Sequence, residues 1–112
     1  RSKPEDEDSE TKIRQLNDHA RCNFADCQIV LTRAVQKLEN LDCLFTQIQQ
    51  FDVFTQANDP YGEHDFGSLR FAGETIFWKI DYYDLDRRNH SPDPSDPNVT
   101  SRVLTIMLGE EY

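Results

Sequence analysis

The sequence predicts an α+β fold: an antiparallel sheet of about four strands with two helices packed on one face. Three observations predict it. Apolar residues recur at helical spacing in the first half and alternate or run continuously over strand lengths in the second. The turn-formers are confined to the second half, Pro4 being the one Gly or Pro before residue 57. The order helix, strand, helix and then three strands is that of an α+β chain rather than of repeated βαβ units.

The first helix is expected over about 10–22, with Ser9 as N-cap and Ile13, Leu16 and Ala20 on its apolar side. Residues 1–8 (RSKPEDED) hold four consecutive acids and no apolar anchor. They read as a disordered acidic leader before a single globular domain, 9–112. The run 27–32 (CQIVLT) is short and β-branched, and reads as a strand. Leu38, Leu41, Leu44, Phe45, Ile48 and Phe51 mark one face of a second helix, capped by Asn40 and ending near 51–54.

Residues 57–67 (ANDPYGEHDFG) form a turn-rich loop: Asp59-Pro60 starts a turn and Gly62 accepts positive φ. Strands at 68–71 and 74–83 flank Ala72-Gly73, a hairpin signal. In the second, alternation puts Ile76, Trp78, Ile80 and Tyr82 on one face and Phe77, Lys79, Asp81 and Tyr83 on the other. Residues 84–100 (DLDRRNHSPDPSDPNVT) make a long connection punctuated by Pro92, Pro94 and Pro97, a length more often functional or mobile than structural. An apolar strand at 102–108 (RVLTIML) closes the order.

The 112 residues suit one domain, and the 12 aromatics supply enough buried area to exclude a disordered acidic tail. With 21 acids against 12 bases the formal charge is −9, which disfavours direct nucleic-acid binding. The acids are too sparse and too mixed with bases to imitate a duplex, although a local acidic patch fits a basic groove on a protein partner. No apolar run is long enough for a bilayer and no charged-then-apolar leader opens the chain, so the expectation is a cytoplasmic protein without membrane contact. Cys22, Cys27 and Cys43 are odd in number and irregularly spaced, which reads as reduced, partly buried thiols. His19, Cys22 and Cys27 lack a fourth ligand for zinc, and no cofactor is expected.

Taken together, the loop ANDPYGEHDFG, the strand FWKIDYYD, the segment SPDPSDP and the ending RVLTIMLGEEY resemble a bacterial family catalogued only as a domain of unknown function, number 3768. The resemblance covers about residues 12–112. It implies a small, stand-alone protein in a cytoplasmic, mobile-element setting and brings no catalytic residues with it.

The most polar constellation is Asn58, Asp59, Tyr61, Glu63, His64 and Asp65, followed by Lys79 and Asp81 on the next strand. A histidine flanked by carboxylates suits general acid–base work. His64, Asp65 and Asp81 would be the candidate ligands for a hard divalent ion if the hairpin brought them together, and Lys79 a low-pKa amine if buried. The competing reading, and the favoured one, is that these groups cap turns and anchor the loop. There is no Gly-x-Ser-x-Gly turn, and four glycines in total cannot build a phosphate loop.

A second constellation joins Arg87 and Arg88 to Tyr61, Tyr82 and Tyr83 as an aromatic and arginine edge, the composition of binding hot spots. The functional expectation is therefore a small acidic protein-interaction module with a protein partner, an inhibitor of a host nucleic-acid-directed defence complex rather than an enzyme. The alternative is a compact enzyme or metal-binding hydrolase-like protein centred on His64 with Glu63, Asp65 and Asp81. The oligomeric state is left open, with pairing of an exposed strand edge as a third reading.

Overall fold

A computed structural model of the chain describes residues 9–112; the expected acidic leader lies outside the described residues. The elements are α1 (Ser9–Asn23), β1 (Gln28–Leu31), α2 (Arg33–Gln36), α3 (Leu41–Gln49), β2 (Phe66–Phe71), β3 (Glu74–Tyr83) and β4 (Ser101–Leu108), ending in a 3-10 turn at Gly109–Glu111. They build the expected α+β arrangement. The four strands lie in the order β1-β4-β3-β2.

One pairing departs from the antiparallel expectation. β3 is antiparallel to both β2 and β4, but β1 runs parallel to β4, with Gln28 beside Val103 and Leu31 beside Ile106. After β1 the chain passes through two helices and the β2–β3 hairpin before β4 arrives beside it. A parallel pair needs such a long crossover, and local alternation carries no trace of it.

Two details of the helices also differ. A single turn, α2, precedes α3 and buries Val35. Asn40 stands at the N-terminus of α3, but its side chain makes no cap; its left-handed backbone (φ 60°) turns its carbonyl to the N–H groups of Cys43 and Leu44. Ser9 lies within α1 rather than before it.

Ile13 of α1, Val35 of α2 and Leu44 and Ile48 of α3 pack on Ile76, Trp78, Ile80, Tyr82, Leu104, Ile106 and Leu108 of the sheet. All helical layers therefore cover one face. Trp78 is fully buried at its centre, with Phe51 and Phe54 edge-on to its indole. Gly67 lies beside it because nothing larger fits: a Cβ there would fall 2.6 Å from Trp78 Nε1. Ala72 and Gly73 both take positive φ (54° and 79°), the two-residue turn that matches strand twist.

The helical core residues all pack on that side, and on the opposite face Val103 and Met107 of the inner strand β4 are nonetheless buried. This opposite face presents Gln28 and Val30, then Val103, Thr105 and Met107, then Phe77, Lys79, Asp81 and Tyr83, and at the edge Phe66, Ser68 and Arg70. Tyr112 folds back from the end of β4 to meet Phe66 and Phe77, with ring centroids 5.4 and 4.9 Å away.

Candidate functional site

Polar side chains converge where α1 crosses the end of the sheet. Asn17, Asp18 and Arg21 share one side of α1, at spacings that suit a single helical face. Opposite them the 58–65 loop closes on itself: Asp59, almost fully buried, accepts the His64 backbone N–H at 3.1 Å, and Arg14 donates to the Gly62 carbonyl. His64 adopts φ 54° to make the turn.

The His64 ring stacks on Phe54, centroids 3.8 Å apart and nearly parallel. Its Nδ1 lies 2.8 Å from Asp18 Oδ1 and its Nε2 3.6 Å from Asp59 Oδ2. Asp18 also accepts from Arg21 Nη1 at 3.2 Å. Arg21 in turn donates to the carbonyls of Ile48 and Phe51 at the end of α3, with its guanidinium over the rings of Phe54 and Trp78. One arginine thus ties α1, α3 and the histidine loop together.

Beside this lies a second chain of contacts, centred on Asn17, which is wholly buried. Its amide donates to the Glu63 carbonyl at 2.9 Å and to Tyr82 Oη at 2.8 Å, and its oxygen accepts from Arg102 Nε at 2.8 Å. Tyr82 Oη donates onward to Glu63 Oε1 at 2.8 Å. Arg102 reaches the Pro94 carbonyl and lies over the Tyr82 ring. Burial pushes the Tyr82 phenol well above its usual range and pulls the Arg102 guanidinium down. Asp65 is raised too, first by burial and then by the Glu63 carboxylate.

The arrangement is built for rigidity more than turnover. A general base needs a lone pair facing a substrate, whereas both His64 nitrogens face carboxylates and the side chain is 23% exposed. Four surface cavities of about 370–490 Å³ have neither His64 nor Asp18 nor Asp59 in their walls, although Arg102 lines two of them. Asp81 does not join His64: strand alternation puts it on the open face, where its Oδ2 lies 3.1 Å from Lys79 Nζ. Among the described residues no group of three His, Cys, Asp or Glu side chains is placed to hold a metal ion.

The aromatic and arginine edge is likewise divided. Tyr82 is buried in the Asn17 network, because its position in β3 shares the core face of Trp78 and Ile80. Tyr83 points to the open face, Tyr61 is exposed on the 58–65 loop, and Arg87 and Arg88 are exposed beyond the end of β3. Arg87 Nε donates to Ser101 Oγ, and Arg88 is held through its backbone N–H by Asp84. The 84–100 connection is organised by short aspartate turns, with Asp93 accepting from Ser95 and Asp96 from Asn98, and by a buried Ser91–Thr100 hydroxyl pair. All three cysteines are free thiols; Cys27 is half-buried, while Cys22 and Cys43 are exposed rather than partly buried, their positions lying off the apolar stripes of α1 and α3.

Sequence reasoning missed Asn17, Arg21 and Arg102, the three residues that organise this region. Asn17 carried a usable signal: it lies four residues after Ile13 and three before Ala20, on the apolar stripe, where an isolated polar residue needs partners.

The fold and this polar seam describe a two-layer α+β protein with helices on one face of its sheet. The chain belongs to the family described as protein of unknown function (DUF3768), whose model matches residues 31–111. No curated protein and no solved structure matches it. The matched span begins at the last residue of β1, so α1, with Asn17, Asp18 and Arg21, precedes it.

Proposed function

We propose that this chain is a small acidic protein-interaction module of mobile-element type that inhibits a host nucleic-acid-directed defence complex. The observation that carries the reading is the sheet face without helices, on which the aromatic Phe77 and Tyr83 of β3 bracket the charged Lys79 and Asp81. Of the groups that would serve an enzyme, His64 and Glu63 are engaged in holding α1 and β3 to the 58–65 loop, and Asp81 is paired with Lys79 on the other face. A formal charge of −9 favours encounter with a basic protein groove of the kind that binds nucleic acid, and opposes direct contact with nucleic acid itself.

Affinity capture from a host carrying such a complex tests this, with a Tyr83→Ala, Arg87→Ala, Arg88→Ala triple variant as control. These three side chains are at least partly exposed at one end of the sheet, so their loss leaves the core intact. The expected result is one protein recovered in stoichiometric amount by the natural chain and lost with the triple variant. Absence of a stoichiometric partner, or equal recovery by both proteins, would sink the reading.

A further inference from the structure

We infer that β2 is a self-pairing edge: two copies of this chain join antiparallel through Phe66–Phe71 to make one continuous eight-stranded sheet. The register of the hairpin decides which backbone groups are free. The two-residue turn makes Phe71 and Glu74 a hydrogen-bonded pair, and alternation makes Leu69 with Ile76 and Gly67 with Trp78 the next two. The series continues with the Ile80 N–H donating to the Asp65 carbonyl at 2.8 Å. The N–H and C=O of Phe66, Ser68 and Arg70 therefore point away from β3, and β2 is the last strand of the sheet.

Natural edges are blunted by proline, bulges, inward charges or shortness. β2 has six residues, no proline, no bulge in its pairing with β3 and one charged side chain, Arg70. The other edge, β1, has only four residues and follows directly on Asp26 and Cys27.

The strand is complementary to itself. A twofold axis at Ser68 sets Ser68 against its own copy and Phe66 against Arg70 of the second copy. Those are the positions whose backbone groups face outward, so every free donor meets an acceptor and six inter-chain hydrogen bonds form. The same register lays the Arg70 guanidinium beside the Phe66 ring, where a cation and an aromatic face attract. No like charges stand opposite one another, and β2 holds no acid, which matters in a chain of charge −9. Arg70 already spans the hairpin, donating to Thr75 Oγ1 and the Gly73 carbonyl at 2.9 Å, so it is held at this edge before a second copy arrives.

Sedimentation velocity and light scattering on the full chain, from micromolar to millimolar concentration, test the inference. The expected result is a mass rising with concentration from 13.1 kDa towards twice that value. Added salt should favour the dimer, because it screens repulsion between two acidic copies. Ser68→Pro removes an outward N–H at the axis without touching the β3 ladder, and should weaken dimerisation roughly tenfold or more. Ser68→Lys, which keeps the backbone donor but sets two like charges face to face, should weaken it too and serves if the proline variant does not fold. A chain that stays monomeric throughout, or a dimer indifferent to both substitutions, overturns the inference. The measurement uses no other protein, so its failure is distinct from failure to find a host partner.

Discussion

The two faces of the sheet use the same alternating strands to opposite ends. On the helix side, Trp78, Ile80 and Tyr82 of β3 are buried, and every polar group among them except the Trp78 indole N–H has a hydrogen-bond partner. The indole nitrogen lies against Gly67, and the indole is flanked by the edge-on rings of Phe51 and Phe54. On the other side, Phe77, Lys79, Asp81 and Tyr83 are only half-buried, and the one ion pair, Lys79 with Asp81, is open to solvent. Displacing a side chain on the first face disturbs α1, α3 and the histidine loop together; on the second it disturbs its neighbours. The first face holds the buried contacts that join helices to sheet, and the side chains of β3 on the second are less constrained by packing.

Substitution can break that contrast or sharpen it. Trp78→Ala empties the centre of the covered face and should cost about 3–5 kcal/mol in urea unfolding; a loss below about 1 kcal/mol would mean the core lies elsewhere. Asn17→Ala strips partners from the Glu63 carbonyl and from Arg102 Nε in a buried site, and should cost about 2–3 kcal/mol. If it proves neutral, the polar seam contributes no stability.

Asp65→Asn should act in the other direction. Burial and the neighbouring Glu63 raise the Asp65 carboxyl above its ordinary 3.8, so the folded state carries an unfavourable charge once Asp65 ionises. The stabilisation by Asn should be absent below that ordinary value, grow as pH rises from it to the raised folded value, and stay constant beyond. Unfolding free energies across acid pH check this, and a gain independent of pH would assign the effect to something other than ionisation. Asp84 and Asp93 run oppositely: backbone N–H donors to Asp84 and the Ser95 hydroxyl on Asp93 hold both carboxyls low. Their contribution is present above the ordinary carboxylate value and is lost as pH falls through the lowered ones. The smallest effect belongs to the open face, where Lys79→Ala should change stability by less than about 1 kcal/mol. A larger loss would show that face to be structural.

Much of this architecture was legible locally. The alternation from Ile76 to Tyr82 identified the covered face of β3, and Ala72-Gly73 located the hairpin. Leu44 and Ile48 marked the buried side of α3. What escaped depends on contacts distant in sequence. Arg102 opens an apolar strand and resembles a surface residue until α1, 85 positions away, supplies Asn17. Tyr82 and Tyr83 stand together in the expected binding edge even though alternation sets them on opposite faces, and hydrogen bonds with the buried Asn17 and with Glu63 take Tyr82 out of that edge. His64, flanked by Glu63 and Asp65, suggested those carboxylates as its partners, but its turn aims the ring at Asp18 and Asp59 instead.

The strand order β1-β4-β3-β2 has a consequence for synthesis. The last strand to be made is an inner one, so β1 and the helices behind it have no finished surface to settle on while β2 and β3 stand alone. Until β4 emerges, the apolar sides of Ile29 and Leu31 await their neighbours Leu104 and Ile106. Assembly of the sheet is therefore expected to be concerted rather than progressive, waiting on β4 to join β1 to β3.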